Sequence, residues 1–282
     1  VYSVAQFKLE RSESSEKALW ASADRQSLPQ KGLAAGPRLV GGTRFHKHNG
    51  LDLGQIELLA EASLKSLEET KKVIVGWQRQ GQSLADIYLN GVAQSARLLG
   101  ERWLSDDMDF VDCTIAFSRL HRILHEFSAE FLQETCAAHN GLSVLLMTEP
   151  GSQHGFGVFM LSEFFRRAGW QVTLAAPQDM NDFKQSFQSD WFDAVCLSIA
   201  TDRHWDDIAA AVPGLLQDSV NRHLGVYLGG PLAQTRTDLP AISGTHILSL
   251  DALKTVERVT ADMVTFGRQF DLTQGSSVNR EI

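Results

Sequence analysis

The run Glu149-Pro150-Gly151-Ser152-Gln153-His154-Gly155-Phe156-Gly157 follows a short apolar stretch, Leu142 to Met147. An amphipathic stretch, Val158 to Ala168, comes after it. That order reads as a strand, an exposed Gly-rich loop carrying one histidine, and a helix. A histidine so placed sits at the carboxyl end of a first strand, where open α/β sheets bind their ligands. Two readings of His154 follow: ligand to a metal-centred cofactor, or plain loop residue.

The pattern continues downstream. Short apolar runs predict strands at Ser143–Met147, Gln171–Ala175, Ala194–Ile199, Gly225–Leu228 and His246–Leu250. Amphipathic runs predict helices at Val158–Ala168, Met180–Gln188, Trp205–Asp218 and Asp251–Phe266. A βα repeat of this kind forms a doubly wound parallel, Rossmann-like sheet. It occupies residues 141–270, with residues 271–282 as a tail.

Upstream the period is helical. Leu58, Leu59, Ala62 and Leu67 open a helical segment that continues to Trp77, and Gly81-Gln82-Ser83 breaks it. Ser83 is an N-cap with Asp86 three residues on. The helix it starts ends near Gly100 to Trp103. Ser105-Asp106-Asp107 makes a turn, and a long helix runs from about Asp109 to His139. Residues 51–140 therefore form a four-helix-bundle cap. Residues 1–50 are rich in Ser, Gly, Gln and basic residues and read as a flexible arm.

Composition narrows the function. At 43% hydrophobic and 21% charged residues the chain is globular, with a net charge of −8. Residues 1–50 hold eight Lys/Arg against four Asp/Glu, a net of +4, so the remainder carries −12. An acidic body with a basic arm argues against a self-sufficient DNA-binding role. Cys113, Cys136 and Cys196 have no metal-ligand or disulfide spacing and read as thiols in a reducing, cytoplasmic setting. No apolar run approaches the roughly 18 residues of a membrane span, and no signal peptide opens the sequence.

Three small or polar points fall at strand ends: the His154 loop, Ser198, and Gly229-Gly230. They define a groove whose floor lacks bulky side chains. It carries no Gly-x-Gly-x-x-Gly after the first strand, no P-loop Lys-Ser/Thr and no Gly-x-Ser-x-Gly elbow, so neither a dinucleotide, an NTP nor a serine nucleophile is indicated.

These residues resemble the cobalamin-binding fold of methionine synthase and related corrinoid proteins over about residues 70–265. That fold has Asp-x-His-x-x-Gly, Ser-x-Leu and Gly-Gly motifs. The matching residues are Ser152-Gln153-His154-Gly155-Phe156-Gly157, Ser198-Ile199-Ala200 and Gly229-Gly230. In the cap, Leu99-Gly100-Glu101-Arg102-Trp103, Asp107, Phe110, Thr114, Ala116 and Arg119-Leu120 match as well. The resemblance implies that His154 is the lower ligand of the cobalt. It implies a nucleotide tail passing Gly157, Ser198 and Gly229-Gly230, and a corrin under a cap face bearing Trp103 and Phe110. From the residues alone, Trp103 reads equally as core and Ser198 as a strand terminator.

Two departures bear on function. Ser152 stands where the family has an acid that would accept the other imidazole N–H and raise ligand basicity. Ala200 stands where it has a leucine. Corrinoid methyltransferases and mutases also use a substrate barrel, which these 282 residues are not expected to include. The run Pro150 to Gly157, with Ser162-Glu163-Phe164-Phe165-Arg166-Arg167-Ala168-Gly169-Trp170, resembles the photosynthesis-regulator branch: the AerR/PpaA antirepressors and the haem- or cobalamin-sensing module of AppA. That branch implies a non-enzymatic light or redox photoreceptor. It would hold adenosyl- or hydroxocobalamin, or haem as the alternative, and bind a PpsR/CrtJ-like transcriptional repressor. A corrinoid carrier for methyl transfer is the alternative function. His46 and His48 read first as part of a solvated tail and are candidates for an upper ligand supplied by the arm. His121 and His125, four apart on one helix, have metal-binding spacing, but with no nearby acid motif they read first as ordinary surface or core residues.

Overall fold

A computed structural model describes residues 51–135, 138–153, 155–235, 240–249 and 251–275. The arm with His46 and His48, residue Cys136, the extreme tail and His154 itself lie outside the described residues. The chain divides into two compact units, Val1–Ile123 and Leu124–Ile282.

The first unit is helical. Helix α1 (Leu53–Lys65) begins at a capping box: the Asp52 carboxylate accepts from the Gln55 amide at 2.9 Å, and the Gln55 side chain accepts from the Asp52 amide at 2.9 Å. The helical segment expected to run on to Trp77 is interrupted at Ser66. Its backbone is extended, and its hydroxyl caps α2 (Leu67–Arg79) by accepting from the Glu69 amide. Leu58, expected on the apolar face, is exposed, whereas Leu59, Ile74 and Trp77 are buried.

Ser83 caps the next helix as its spacing predicted, accepting from the Asp86 amide at 3.1 Å. The helix is not uniform. A single turn, α3 (Leu84–Asp86), passes into a π-helical segment, Ile87–Val92, before α4 (Ala93–Leu104). Gly91 lies in that segment, where a Cβ would come within 2.8 Å of the Trp77 ring and 2.9 Å of Leu51. Only a glycine lets the wide turn close on the Trp77 indole. The α4 terminus is a Schellman motif. Asp107 N–H donates to Arg102 O at 2.9 Å and Asp106 N–H to Trp103 O at 3.3 Å, with Asp106 left-handed at φ 62°.

Helix α5 (Phe110–Gln133) is shorter than the Asp109–His139 its pattern suggested, and His139 lies beyond it as irregular chain. Asp109 caps it, accepting from the Asp112 amide at 2.8 Å. Arg119 on α5 donates to the carbonyls of Ser63 and Leu64 at 2.7 and 2.8 Å, satisfying the α1 terminus.

The second unit holds a parallel sheet with strand order β2-β1-β3-β4-β5. In chain order its elements are β1 (Ser143–Thr148), α6 (Phe156–Arg167), β2 (Gln171–Ala175), α7 (Met180–Gln188), β3 (Ala194–Ser198), α8 (Trp205–Asp218), β4 (Gly225–Gly229), α9 (Pro231–Thr235), β5 (Thr245–Ile247) and α10 (Ala252–Gly275). Strand β5 ends at Ile247 rather than Leu250. Helix α6 starts two residues before the expected Val158, which moves Gly157 from the loop into the first helical turn.

One sheet face presents Leu145, Met147, Val195, Leu197, Val226 and Leu228 to Phe183 and Phe187 of α7 and to Trp205, Ile208 and Val212 of α8. The other carries α6 and α10. Tyr227 on β4 donates to Asp262 of α10 at 3.2 Å, and the Trp170 indole donates to Thr260 at 3.1 Å. A parallel sheet needs cover on both faces, because βα crossovers leave both apolar. Among the described residues no helix is long and apolar enough to cross a membrane.

Candidate functional site

Strand order reverses between β1 and β3, since β2 lies on one side of β1 and β3 on the other. The crevice outside the carboxyl ends of these strands is where doubly wound sheets bind ligands. In register there stand Thr148, Ser198 and Gly229, one from each of β1, β3 and β4. Register partners share a face, so the three make one small polar patch at the sheet rim.

Thr148 is buried, and its hydroxyl has no hydrogen-bond partner among the described residues. A buried hydroxyl left unpaired costs about 1–3 kcal/mol, so a ligand that pairs with it recovers that free energy. Ser198 beside it is half-buried.

The glycines divide into two kinds. At Gly230, with φ 90°, a Cβ would lie 2.5 Å from Ile199 O and 2.7 Å from Ile199 N. That glycine is required by its own backbone. At Gly229 the nearest atom to a Cβ would be Leu248 Cβ at 3.8 Å, and at Gly155 and Gly157 nothing lies within 4 Å. None of those three is required by a close approach of the kind seen at Gly230.

The described residues of the loop after β1 are held by backbone hydrogen bonds. Gly151, with φ 71°, donates to Pro177 O at 2.9 Å. Ser152 N–H donates to Glu149 O at 3.2 Å, and Gly155 N–H to Gln153 O at 2.9 Å. The Phe159 amide then donates to Gly155 O, starting α6.

Sequence reasoning passed over Glu149. Its side chain is almost fully buried, although it lies just past the strand, where the loop begins. One carboxylate oxygen accepts from the Ala200 amide at 3.3 Å and the Thr201 amide at 3.1 Å; the other accepts from the Thr201 hydroxyl at 3.2 Å. Burial pushes its carboxyl above the ordinary value, opposed by the hydrogen bonds from Thr201 and Ala200 and reinforced by Asp202. The signal was present as an acid between an apolar run and Pro-Gly, but its partners lie about fifty residues away and no spacing rule links them.

Of the other expected residues, Trp103 is buried and packs on Phe110 at a ring distance of 6.0 Å, with Phe110 itself exposed. His125 stacks on Phe159 at 3.9 Å. Among the described residues no cluster of three or more His, Cys, Asp or Glu is arranged to hold a metal. Cys113 and Cys196 are buried thiols. Burial pushes Cys113 up to about 11 and raises Cys196 further.

No protein-family model matches the chain. It is 28% identical over 161 residues, 57% of its length, to the "Uncharacterized 20.5 kDa protein in bchF-crtJ intergenic region" of Rhodobacter capsulatus, covering 83% of that protein. Among solved structures it is similar to the monomethylamine corrinoid protein of Methanosarcina barkeri. The TM-score is 0.56 at 11% identity, over 73% of this chain and 96% of that one. A novel cobalamin-binding protein from Desulfitobacterium hafniense DCB-2 aligns over 74% of this chain and 97% of its own at 16% identity, with a TM-score of only 0.37. At such identities the likeness is one of fold. The chain has the mixed helical and Rossmann-like fold of the corrinoid protein.

Proposed function

We propose that this protein is a cobalamin-binding sensor of light or redox state. It acts without catalysis, as an antirepressor that binds a PpsR/CrtJ-like repressor of photosynthesis genes. The observation that carries the ligand assignment is the rim of Thr148, Ser198 and Gly229, with a hydroxyl unpaired among the described residues, at the carboxyl ends of the strands. A fold shared with a corrinoid protein supports the same ligand. The relative in the bchF-crtJ intergenic region supports the regulatory role, together with the sequence resemblance to antirepressors.

Bound cobalamin would supply a cobalt centre that responds to light or redox state. The chain's own residues do the rest. His154 would offer a ring nitrogen to the metal, and Ser152 could hydrogen-bond that imidazole without adding charge. Thr148 and Ser198 offer hydroxyls to polar groups of the ligand, while Gly157 and Gly229 let it approach the backbone. Two states that bind the repressor with different affinity then switch it.

The test is an absorption spectrum of protein loaded with hydroxo- or adenosylcobalamin, or with haem, in the dark and after blue-green light. His154→Ala runs alongside, followed by a repressor pull-down. A light-dependent corrinoid spectrum lost in the variant is expected. Equal cobalamin uptake by His154→Ala sinks the ligand assignment, and haem uptake alone replaces the cofactor. A corrinoid carrier is the second reading, favoured by the fold shared with the monomethylamine corrinoid protein. Methyl transfer from a donor protein in reconstitution would establish it instead.

A further inference from the structure

Glu149 joins the two loops that flank the groove. Its backbone N–H donates to Ser198 O at 3.0 Å, and its carbonyl accepts from Ser152, two residues before His154. Its side chain crosses to the opposite loop, where it accepts from the amides of Ala200 and Thr201 and from the Thr201 hydroxyl. Thr201 leads through Asp202 to His204, where α8 begins; Trp205 N–H donates to Asp202 O at 3.1 Å. One buried residue thus fixes the β1–α6 loop and the β3–α8 loop to each other by both its main chain and its side chain.

The arrangement costs something to keep. A carboxyl in this burial is displaced above its ordinary value, and an apolar residue at the strand end would avoid that penalty. What an apolar residue could not do is satisfy the Ala200 and Thr201 amides, which would otherwise face a half-buried groove unpaired.

We propose that Glu149 is a positioning residue for the ligand loop: its carboxyl clamps the Ala200–Thr201 turn and thereby sets where the Ser152 end of that loop stands. The clamp acts through loop geometry, three residues upstream of Ser152. It rests on the proposed cobalamin site for its purpose, though not for its existence.

The test compares the full-length protein with Glu149→Gln and Glu149→Ala. Glutamine keeps the clamp, because its carbonyl can accept from both amides and its NH2 can donate to the Thr201 hydroxyl. Amide hydrogen exchange without ligand is expected to speed up about tenfold or more in Glu149→Ala, in both the 149–157 and 198–204 segments, and to stay near the unaltered rate in Glu149→Gln. Titration with hydroxocobalamin is expected to show affinity about 10–100-fold weaker in Glu149→Ala, with loss of the imidazole-coordinated spectrum, and near-normal behaviour in Glu149→Gln. The proposal is overturned if alanine loosens only one loop or neither. It is also overturned if alanine speeds exchange across the whole sheet equally, or leaves hydroxocobalamin affinity and spectrum unchanged. If the unaltered protein takes up no hydroxocobalamin, the proposed function falls, while the exchange comparison still decides the clamp.

Discussion

The two rims of the sheet are built to different standards. At the amino ends of the strands the polar groups are paired. Asp193 accepts from the Ser143 amide at 2.7 Å and its hydroxyl at 3.1 Å; Asn221 donates to Phe192 O at 2.9 Å and accepts from His223. Asn140 donates to Ala168 O and accepts from the Leu142 amide. At the carboxyl ends Thr148 keeps a buried hydroxyl without a partner among the described residues, and at Gly229 a Cβ would meet nothing closer than Leu248 Cβ at 3.8 Å. A rim that only holds loops closes its hydrogen bonds internally. A rim that meets a ligand leaves some of them open.

Substitutions can break or sharpen that contrast. The largest expected effect lies at Gly230, where alanine forces a left-handed backbone and a clash with Ile199. A loss of about 3 kcal/mol in denaturant unfolding is expected. Gly229→Ala should leave stability within about 0.5 kcal/mol while weakening corrinoid uptake; equal destabilisation by the two would erase the distinction between the glycines. Next comes His154→Ala, expected to lower cobalamin affinity about 10–100-fold at unchanged melting temperature. Asn221→Ala at the amino rim should do the reverse, costing about 1–2 kcal/mol of stability by unpairing Phe192 O, with the loaded spectrum intact.

Thr148→Val is a finer probe. Removing an unpaired buried hydroxyl should leave stability unchanged or raise it by about 1 kcal/mol. Ligand binding should weaken several-fold; stability loss would mean that the hydroxyl is already satisfied. The smallest effect concerns pH. Since burial raises the Glu149 pKa, with Asp202 adding to the rise, its contribution to stability is present below the ordinary carboxylate pKa. It fades as pH climbs through the raised value. Glu149→Gln should flatten that part of the stability–pH profile, and a profile unchanged by the substitution would remove Glu149 as its source.

Much of this architecture can be read in the sequence, because period 2 and period 3.6 alternate cleanly from Leu142 onward. The strands β1, β2, β3 and β4 and the helices α7 and α8 fall close to their expected spans. What escapes is non-local. Thr148 is one more polar residue until register sets it beside Ser198 and Gly229. Glu149 looks like a loop acid until Thr201 closes on it. The Ser66 break eluded periodicity because a single extended residue barely disturbs an apolar pattern, and Gly157 was assigned to the loop because glycine is a poor helix former.

The π-helical segment Ile87–Val92 has a consequence for how this chain tolerates length changes. A π turn stores one residue more than an α turn needs. Losing a residue from α4 would swing everything beyond it by about 100°, Trp103 included. Losing one from Ile87–Val92 would be absorbed locally, relaxing the wide turn to an ordinary one and leaving the downstream helix face where it was. The helix thus carries its own slack, one residue deep, confined to the place where Gly91 meets Trp77.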